Sequence, residues 1–281
     1  MIPAIAAQHA IRLDMVELAG HRYVTGVDLG LGRAIPLMVH GNARVYLSLV
    51  HAVAEEIVGG PLPKMEDYGY TERGKALVNV PKLQLGGATF EGLKDVPVFD
   101  FSDDPVAPVQ GMLGTRFLTA ARAAVDFASD ALLLGVAVSD ELEPTLLARG
   151  YRAVRTIALA DGRMTIDVFF PAIERAIPIT LSTVADALML HRPLFEGRVA
   201  MEPAGLDHSP SGTSPAVFMS ERVAFEIEGK PFDSAASFQD LAEYGNVAEA
   251  ELQTSGMLGF DWMRAHGAVL DYASQYLYVL T

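Results

Sequence analysis

One segment of this sequence occurs twice. Residues 111–132 read GMLGTRFLTAARAAVDFASDAL and residues 256–277 read GMLGFDWMRAHGAVLDYASQYL, identical at ten of twenty-two positions without a gap. Gly111, Gly114, Asp126 and Ser129 answer to Gly256, Gly259, Asp271 and Ser274. Such a duplication constrains the architecture more than any single motif, because the unit built by the first copy must be built again by the second. The match extends upstream: Ala10-Ile11-Arg12 before Leu18-Ala19-Gly20 resembles Ala153-Val154-Arg155 before Leu159-Ala160-Asp161-Gly162, and residues 80–101 resemble 223–241. The chain of 281 residues thus divides into two units of ordinary domain size, 1–140 and 145–281. The seam lies between Ser139 and Gly150, where Asp140, Glu141, Glu143 and Pro144 interrupt the apolar pattern.

Within each unit the apolar period is mostly two, which predicts strands. Ala10–Val16 and Tyr23–Val27 flank Leu18-Ala19-Gly20, and Leu37–Val39 and Val45–Leu49 flank His40-Gly41-Asn42. Both pairs read as hairpins closed by Gly/Asn turns. After Gly114 the spacing of Phe117, Leu118 and Ala121 becomes helical for two turns, and Ala124–Leu134 returns to strand composition. The fold class expected is all-β: two tandem β-barrel lobes, each with one short helix near its end.

Composition supports two packed cores, with 51% apolar and 20% charged residues. The formal charge of -14 disfavours nucleic acid and anionic membranes as partners, since an acidic surface repels phosphate. With no cysteine there is no thiol chemistry. No apolar run approaches the roughly 18 residues of a membrane span. Met1–Ala10 lacks the basic head of a secretory leader, so the expected location is cytoplasmic, or periplasmic or secreted if a leader was trimmed before numbering.

The order strand, Gly turn, strand, then a distant Gly-Met-Leu-Gly leading to Phe117-Leu118 or Trp262-Met263 and to Asp126-Phe127 or Asp271-Tyr272, resembles the retropepsin-like aspartic peptidase family. The resemblance covers nearly the whole chain, once per copy. It implies two retropepsin-like lobes in cis, able to work as a monomer, with a cleft near a pseudo-two-fold axis. It also implies an Asp-Thr/Ser-Gly from each lobe, because two carboxylates about 3 Å apart share a proton and act as base and acid on a water.

Neither Asp-Thr-Gly nor Asp-Ser-Gly occurs anywhere. In the first copy the segment expected to carry the motif reads Ser48-Leu49-Val50, and in the second Ser182-Thr183-Val184. Serine then stands for each aspartate and valine for each glycine; a shift of one would put Leu49 at the first aspartate position. Neither register restores a carboxylate. Loss of a general acid or base removes on the order of 10²–10⁴ in rate, and a hydroxyl without a base does not ionise near neutral pH. No catalytic residue, metal or cofactor is therefore expected. The function expected is a pseudo-peptidase that binds an extended peptide, a protein segment or a small ligand between the lobes.

The alternative is a hydrolase that recruits other groups, such as Asp186, His51 or the paired serines. A third reading is a scaffold whose cleft is filled by Leu49, Val50, Thr183 and Val184. Tyr68 and Tyr70, with Ser211 and Gly212 in the second copy, fall where a flap over the cleft is expected. Gly69 to Lys75 has the spacing of a phosphate-binding loop, but Ala76 replaces the Mg²⁺-binding hydroxyl. Asp28-Leu29-Gly30 reads as an ordinary loop. His51 and Glu55 share a helical face as an exposed pair. Asp207-His208-Ser209 are adjacent and cannot adopt triad geometry. Asp126 and Asp271 are expected to accept backbone bonds at a strand start, and Trp262 and the nearby methionines to lie in the core.

Overall fold

The computed structural model describes residues 11–18, 20–62, 76–99, 109–135, 142–207, 214–245 and 247–280. In the first half the strands are β1 (Ile11–Leu18), β2 (His21–Asp28), β3 (Ala34–Val39), β4 (Leu47–Val50), β5 (Leu77–Leu85), β6 (Ala88–Phe99), β7 (Gly111–Leu113), β8 (Ala124–Asp126) and β9 (Ala131–Leu134). Helix α1 (His51–Val58) follows β4, and α2 (Thr115–Ala120) follows β7. The second half opens with α3 (Glu143–Ala148), at the break in the apolar pattern. Strands β10 (Tyr151–Arg155), β11 (Ile157–Ala158), β12 (Met164–Phe170), β13 (Arg175–Leu181) and β14 (Leu188–His191) lead to α4 (Arg192–Phe195). Then come β15 (Glu202–Leu206), β16 (Ala216–Ile227), β17 (Lys230–Gln239), α5 (Leu241–Gly245), β18 (Gly256–Leu258), α6 (Phe260–Ala265), β19 (Val269–Asp271) and β20 (Tyr276–Leu280).

Six strands of each half close a barrel. In the first the order β2-β3-β7-β4-β6-β5 returns to β2, and in the second β12-β13-β18-β14-β17-β16 returns to β12. The all-β, two-barrel architecture read from the sequence is the one observed, with more short helices than the one per half expected. Six of the remaining eight strands join the halves in one sheet, β10-β20-β19-β8-β9-β1, while β11 and β15 extend the second barrel's sheet. At its centre β8 and β19 run antiparallel, with Val269 opposite Asp126 and Asp271 opposite Ala124. Under the repeat Ala124 answers to Val269 and Asp126 to Asp271, so the pairing maps onto itself, the signature of a two-fold contact.

One expected hairpin is absent. β3 and β4 do not pair; β7 lies between them, parallel to β3 and antiparallel to β4. The glycine opening each repeat permits this insertion. A Cβ on Gly111 would sit 2.5 Å from the Ser48 carbonyl oxygen, and one on Gly256 would sit 2.5 Å from that of Met189. Side-chain-free backbone is needed wherever a third strand is pressed this closely between two others.

The two repeated aspartates act locally, at the exit of a strand rather than its start. Asp126 Oδ1 accepts from the N–H groups of Ala128 (3.1 Å) and Ser129 (3.3 Å), and Asp271 Oδ1 accepts from Ala273 (2.8 Å) and Ser274 (3.2 Å). Both turns are Asx turns, in which a carboxylate takes up backbone donors the ladder leaves free. The barrels are packed by inward residues such as Leu37, Val39 and Leu49 in one and Ile179, Leu181 and Leu190 in the other, and Phe127 meets Phe260 edge-on at 5.1 Å. Arg22 adds a charged tie. Its guanidinium lies 4.0 Å from the Phe260 ring centroid and pairs with Glu17 at 2.9 Å and Asp130 at 3.4 Å, while Asp130 also binds Arg264 at 3.0 Å.

Candidate functional site

The chain leaves β3 through His40-Gly41-Asn42 and leaves β13 through Ser182-Thr183-Val184. Backbone bonds make these loops equivalent. His40 N–H donates to the Leu113 carbonyl at 2.9 Å and Ser182 N–H to the Leu258 carbonyl at 3.0 Å. The loops meet across the two-fold contact: Gly41 N–H donates to Thr183 Oγ1 at 2.7 Å, and that hydroxyl donates to the Val39 carbonyl at 2.9 Å. Gly41 offers no side chain to return the contact. Its space is held by Tyr272, whose buried hydroxyl a Cβ at position 41 would strike. Tyr272 stands at the repeat position of Phe127, and its Oη has no hydrogen-bond partner among the described residues. Burial holds the phenol above its ordinary pKa.

Asn42 and Ser182 close the junction. With its amide set to satisfy both ends, Asn42 Oδ1 accepts from Ser182 Oγ at 3.0 Å, and its nitrogen donates to the carbonyls of Gly41 and Leu181, each at 3.2 Å. Ser182 Oγ in turn accepts from Ala185 N–H at 2.9 Å and Val184 N–H at 3.3 Å. Asn42 N–H donates to His40 Nδ1 at 3.3 Å, so the neutral ring carries its proton on Nε2. Burial, and then the neighbouring His21, push the His40 pKa down to about 4. The serine hydroxyl therefore donates to an amide rather than to a base, and is not an activated nucleophile. Among the described residues no carboxylate hydrogen-bonds to these loops, and no cluster of three or more His, Asp or Glu is placed to hold a metal ion.

The pairing of Ser48 with Ser182 that the sequence suggests does not hold in space. Ser48 lies within β4 opposite Met112, fully buried, and its counterpart opposite β18 is Met189. Leu49 belongs to the barrel core, and Val50 packs against that core at the start of α1. Of the six cleft positions expected, only Ser182, Thr183 and Val184 are at the junction. The residue matching Ser182 is His40, and a signal for it was present: each lies five places beyond the isoleucine of an Ile-Pro pair, Ile35-Pro36 and Ile177-Pro178.

Of the recruited-group candidates, Ser182 is at the junction, Ser48 is in β4, and Asp186 lies four residues beyond Ser182. His51 Nδ1 faces Glu55 on α1 at 3.4 Å. Asp186 sits beside the turn at Gly20, its pKa raised by burial and then by Asp261. Tyr68, Tyr70, Ser211 and Gly212 lie outside the described residues, as do residues 69–75, His208 and Ser209.

The barrel faces beside the junction differ between halves. Cross-strand registers place Tyr23, Met38, Met112 and Ser48 in one row on the outer face of the first barrel. All four are buried, and Tyr23, Met38 and Met112 form an apolar cluster against which Val184 of the second half packs. The equivalent row of the second barrel runs Thr165, Thr180, Met257, Met189, Ser237, Met219 and Glu202. Here Met257, Met189 and Ser237 are half-buried and Met219 is 38% exposed. The expectation that the methionines of the glycine blocks are core thus holds for Met112 and fails for Met257. No protein-family model matches the chain, and a search of curated proteins returns no match.

Proposed function

We propose that the chain is a retropepsin-like pseudo-peptidase, two lobes in cis that bind an extended peptide or protein segment beside their junction without cleaving it. The observation that carries this reading is the pair of equivalent loop positions. There an imidazole (His40) and a hydroxyl (Ser182) stand where the resemblance requires two carboxylates, and each is committed to Asn42. Neutral His40 and an unactivated serine supply neither shared proton nor nucleophile. Binding is supported by the half-open row of the second barrel, whose partly exposed thioether side chains can receive the apolar side chains of an extended segment.

The test is incubation with a peptide library across pH 3–8, read by mass spectrometry, alongside affinity selection from the same library. The expected result is selection of peptides that are recovered uncut. Cleavage that disappears in the His40→Ala/Ser182→Ala variant would make the protein an enzyme and end this reading.

A further inference from the structure

The two outer faces are not equally available, and the asymmetry says which ligands fit. In the first half the row is closed by its own Tyr23, Met38 and Met112. In the second half Met219 is one strand from Ser237, Ser237 one strand from Met189, and Met189 directly opposite Met257. These are three partly exposed thioether side chains on one side of one sheet. Methionine is flexible and polarizable, and a surface made of it repacks around apolar side chains of different shapes.

Carboxylates stand around this face. Glu202 continues the row, directly opposite Met219, is exposed, and makes no ion pair among the described residues. Two places along from Met189, His191 is flanked by Asp240 at 3.8 Å and Glu249 at 3.3 Å, and the Glu249 side chain is largely exposed. Arg192, which follows His191 at the start of α4, is turned the other way: it stacks at 5.0 Å on Phe218, whose side chain packs on the core side of β16, and Arg222 of β16 is paired with Asp233 at 2.8 Å. The whole chain adds a field of the same sign, 35 acidic against 21 basic residues.

We infer that the second barrel's outer face, Met219, Met189 and Met257 with Glu202 and Glu249, is the ligand-selecting surface. Its ligand is an extended, positively charged segment with apolar side chains at alternate positions. The inference rests on the binding reading above and names the partner that reading leaves open. Apolar side chains of the segment sit on the thioethers, and its Lys or Arg residues meet the carboxylates. The first barrel's row takes no part.

The experiment uses the full chain and three fluorescein-labelled extended peptides, with alternating Leu and Lys, alternating Leu and Glu, and alternating Ser and Lys, read by fluorescence anisotropy. The Leu/Lys peptide is expected to bind best, the other two at least about tenfold more weakly, with affinity falling as salt rises. Met189→Asp and Met219→Asp should each weaken Leu/Lys binding by about tenfold or more, Met189→Leu should retain it, and Glu202→Lys should shift preference toward Leu/Glu. Circular dichroism confirms that each variant is folded, and the solvent-facing Met219→Asp remains informative if Met189→Asp is not. Peptide binding that ignores charge and all these substitutions would overturn this inference while leaving the binding reading standing. Failure to bind any of the three peptides, together with no selection from the library, would overturn both.

Discussion

Gly41→Ala isolates the contact that fixes the two loops against each other. Gly41 is not among the glycines with positive φ, so alanine meets no backbone objection there. The obstacle is steric. A Cβ at position 41 would strike Tyr272 Oη and lie 3.1 Å from Thr183 Cγ2 and 3.3 Å from Thr183 Oγ1. Overpacking of a buried site costs about 1–3 kcal/mol. Any retreat of the loop also strains the 2.7 Å bond from Gly41 N–H to Thr183 Oγ1, whose net contribution is about 0.5–1.5 kcal/mol. The expected destabilisation is therefore about 1.5–4.5 kcal/mol. Tyr272→Phe removes the colliding atom, a buried hydroxyl without a partner among the described residues, and on its own should be neutral or stabilising by up to about 1 kcal/mol. Phe127 at the equivalent position indicates that a bare ring packs in this setting. In the Tyr272→Phe background, Gly41→Ala should cost at least about 1 kcal/mol less than in the parent. Urea unfolding of the four proteins of the cycle measures this. Strict additivity, within about 0.5 kcal/mol, would show that Tyr272 does not hold the space beside Gly41.

Three further outcomes are expected. The folded-state pKa of His40, about 4, lies below its ordinary value of 6.5. The unfolded chain therefore binds more protons between these values: the stability from a neutral His40 is complete above pH 6.5, declines as pH falls, and is exhausted below pH 4. His40 is only half-buried, so we discount the loss to about 1–3 kcal/mol, and His40→Gln should flatten that part of a stability-against-pH curve. Arg22→Met should lower stability by about 1–3 kcal/mol in urea unfolding, because the buried guanidinium bridges Glu17, Asp130 and the Phe260 ring while Asp130 keeps Arg264. Arg22→Lys should recover only part of this, since an ammonium cannot stack as a planar guanidinium does. Gly111→Ala or Gly256→Ala should each cost about 3 kcal/mol or more, seen as a lower urea midpoint, because the added methyl meets a neighbouring strand's carbonyl rather than a movable side chain.

The duplication was legible because its strongest block encodes backbone constraints. Gly111 and Gly256 admit an inserted strand, Gly114 and Gly259 precede the short helices, and Asp126 and Asp271 turn the chain between strands. Requirements of that kind tolerate few residues, so they persist as identities between the copies. The β3–β7–β4 arrangement was not legible. A strand added from some seventy residues away leaves no mark on local alternation, and two strands flanking a Gly/Asn turn look like a hairpin whether or not they pair.

The junction was half legible, and the reason is physical. Ser182-Thr183-Val184 was legible because Ile177-Pro178-Ile179-Thr180-Leu181 leads into it, and there Ser182 accepts the N–H groups of Val184 and Ala185. In the first half the corresponding acceptor is His40 Nδ1, which takes the N–H of Asn42, and imidazole does not resemble serine in a sequence comparison. Leu47-Ser48 in β4 does resemble Leu181-Ser182, and that likeness drew the register to a strand buried against β7. Counting from the shared Ile-Pro pairs avoids the error, because β3 and β13 have the same length from that point to the turn. The two loops thus share their turn bonding although different groups provide it. Beside the Gly41–Thr183 contact, Asn42, which bonds to both His40 and Ser182, is a second link through which a change in either loop reaches the other.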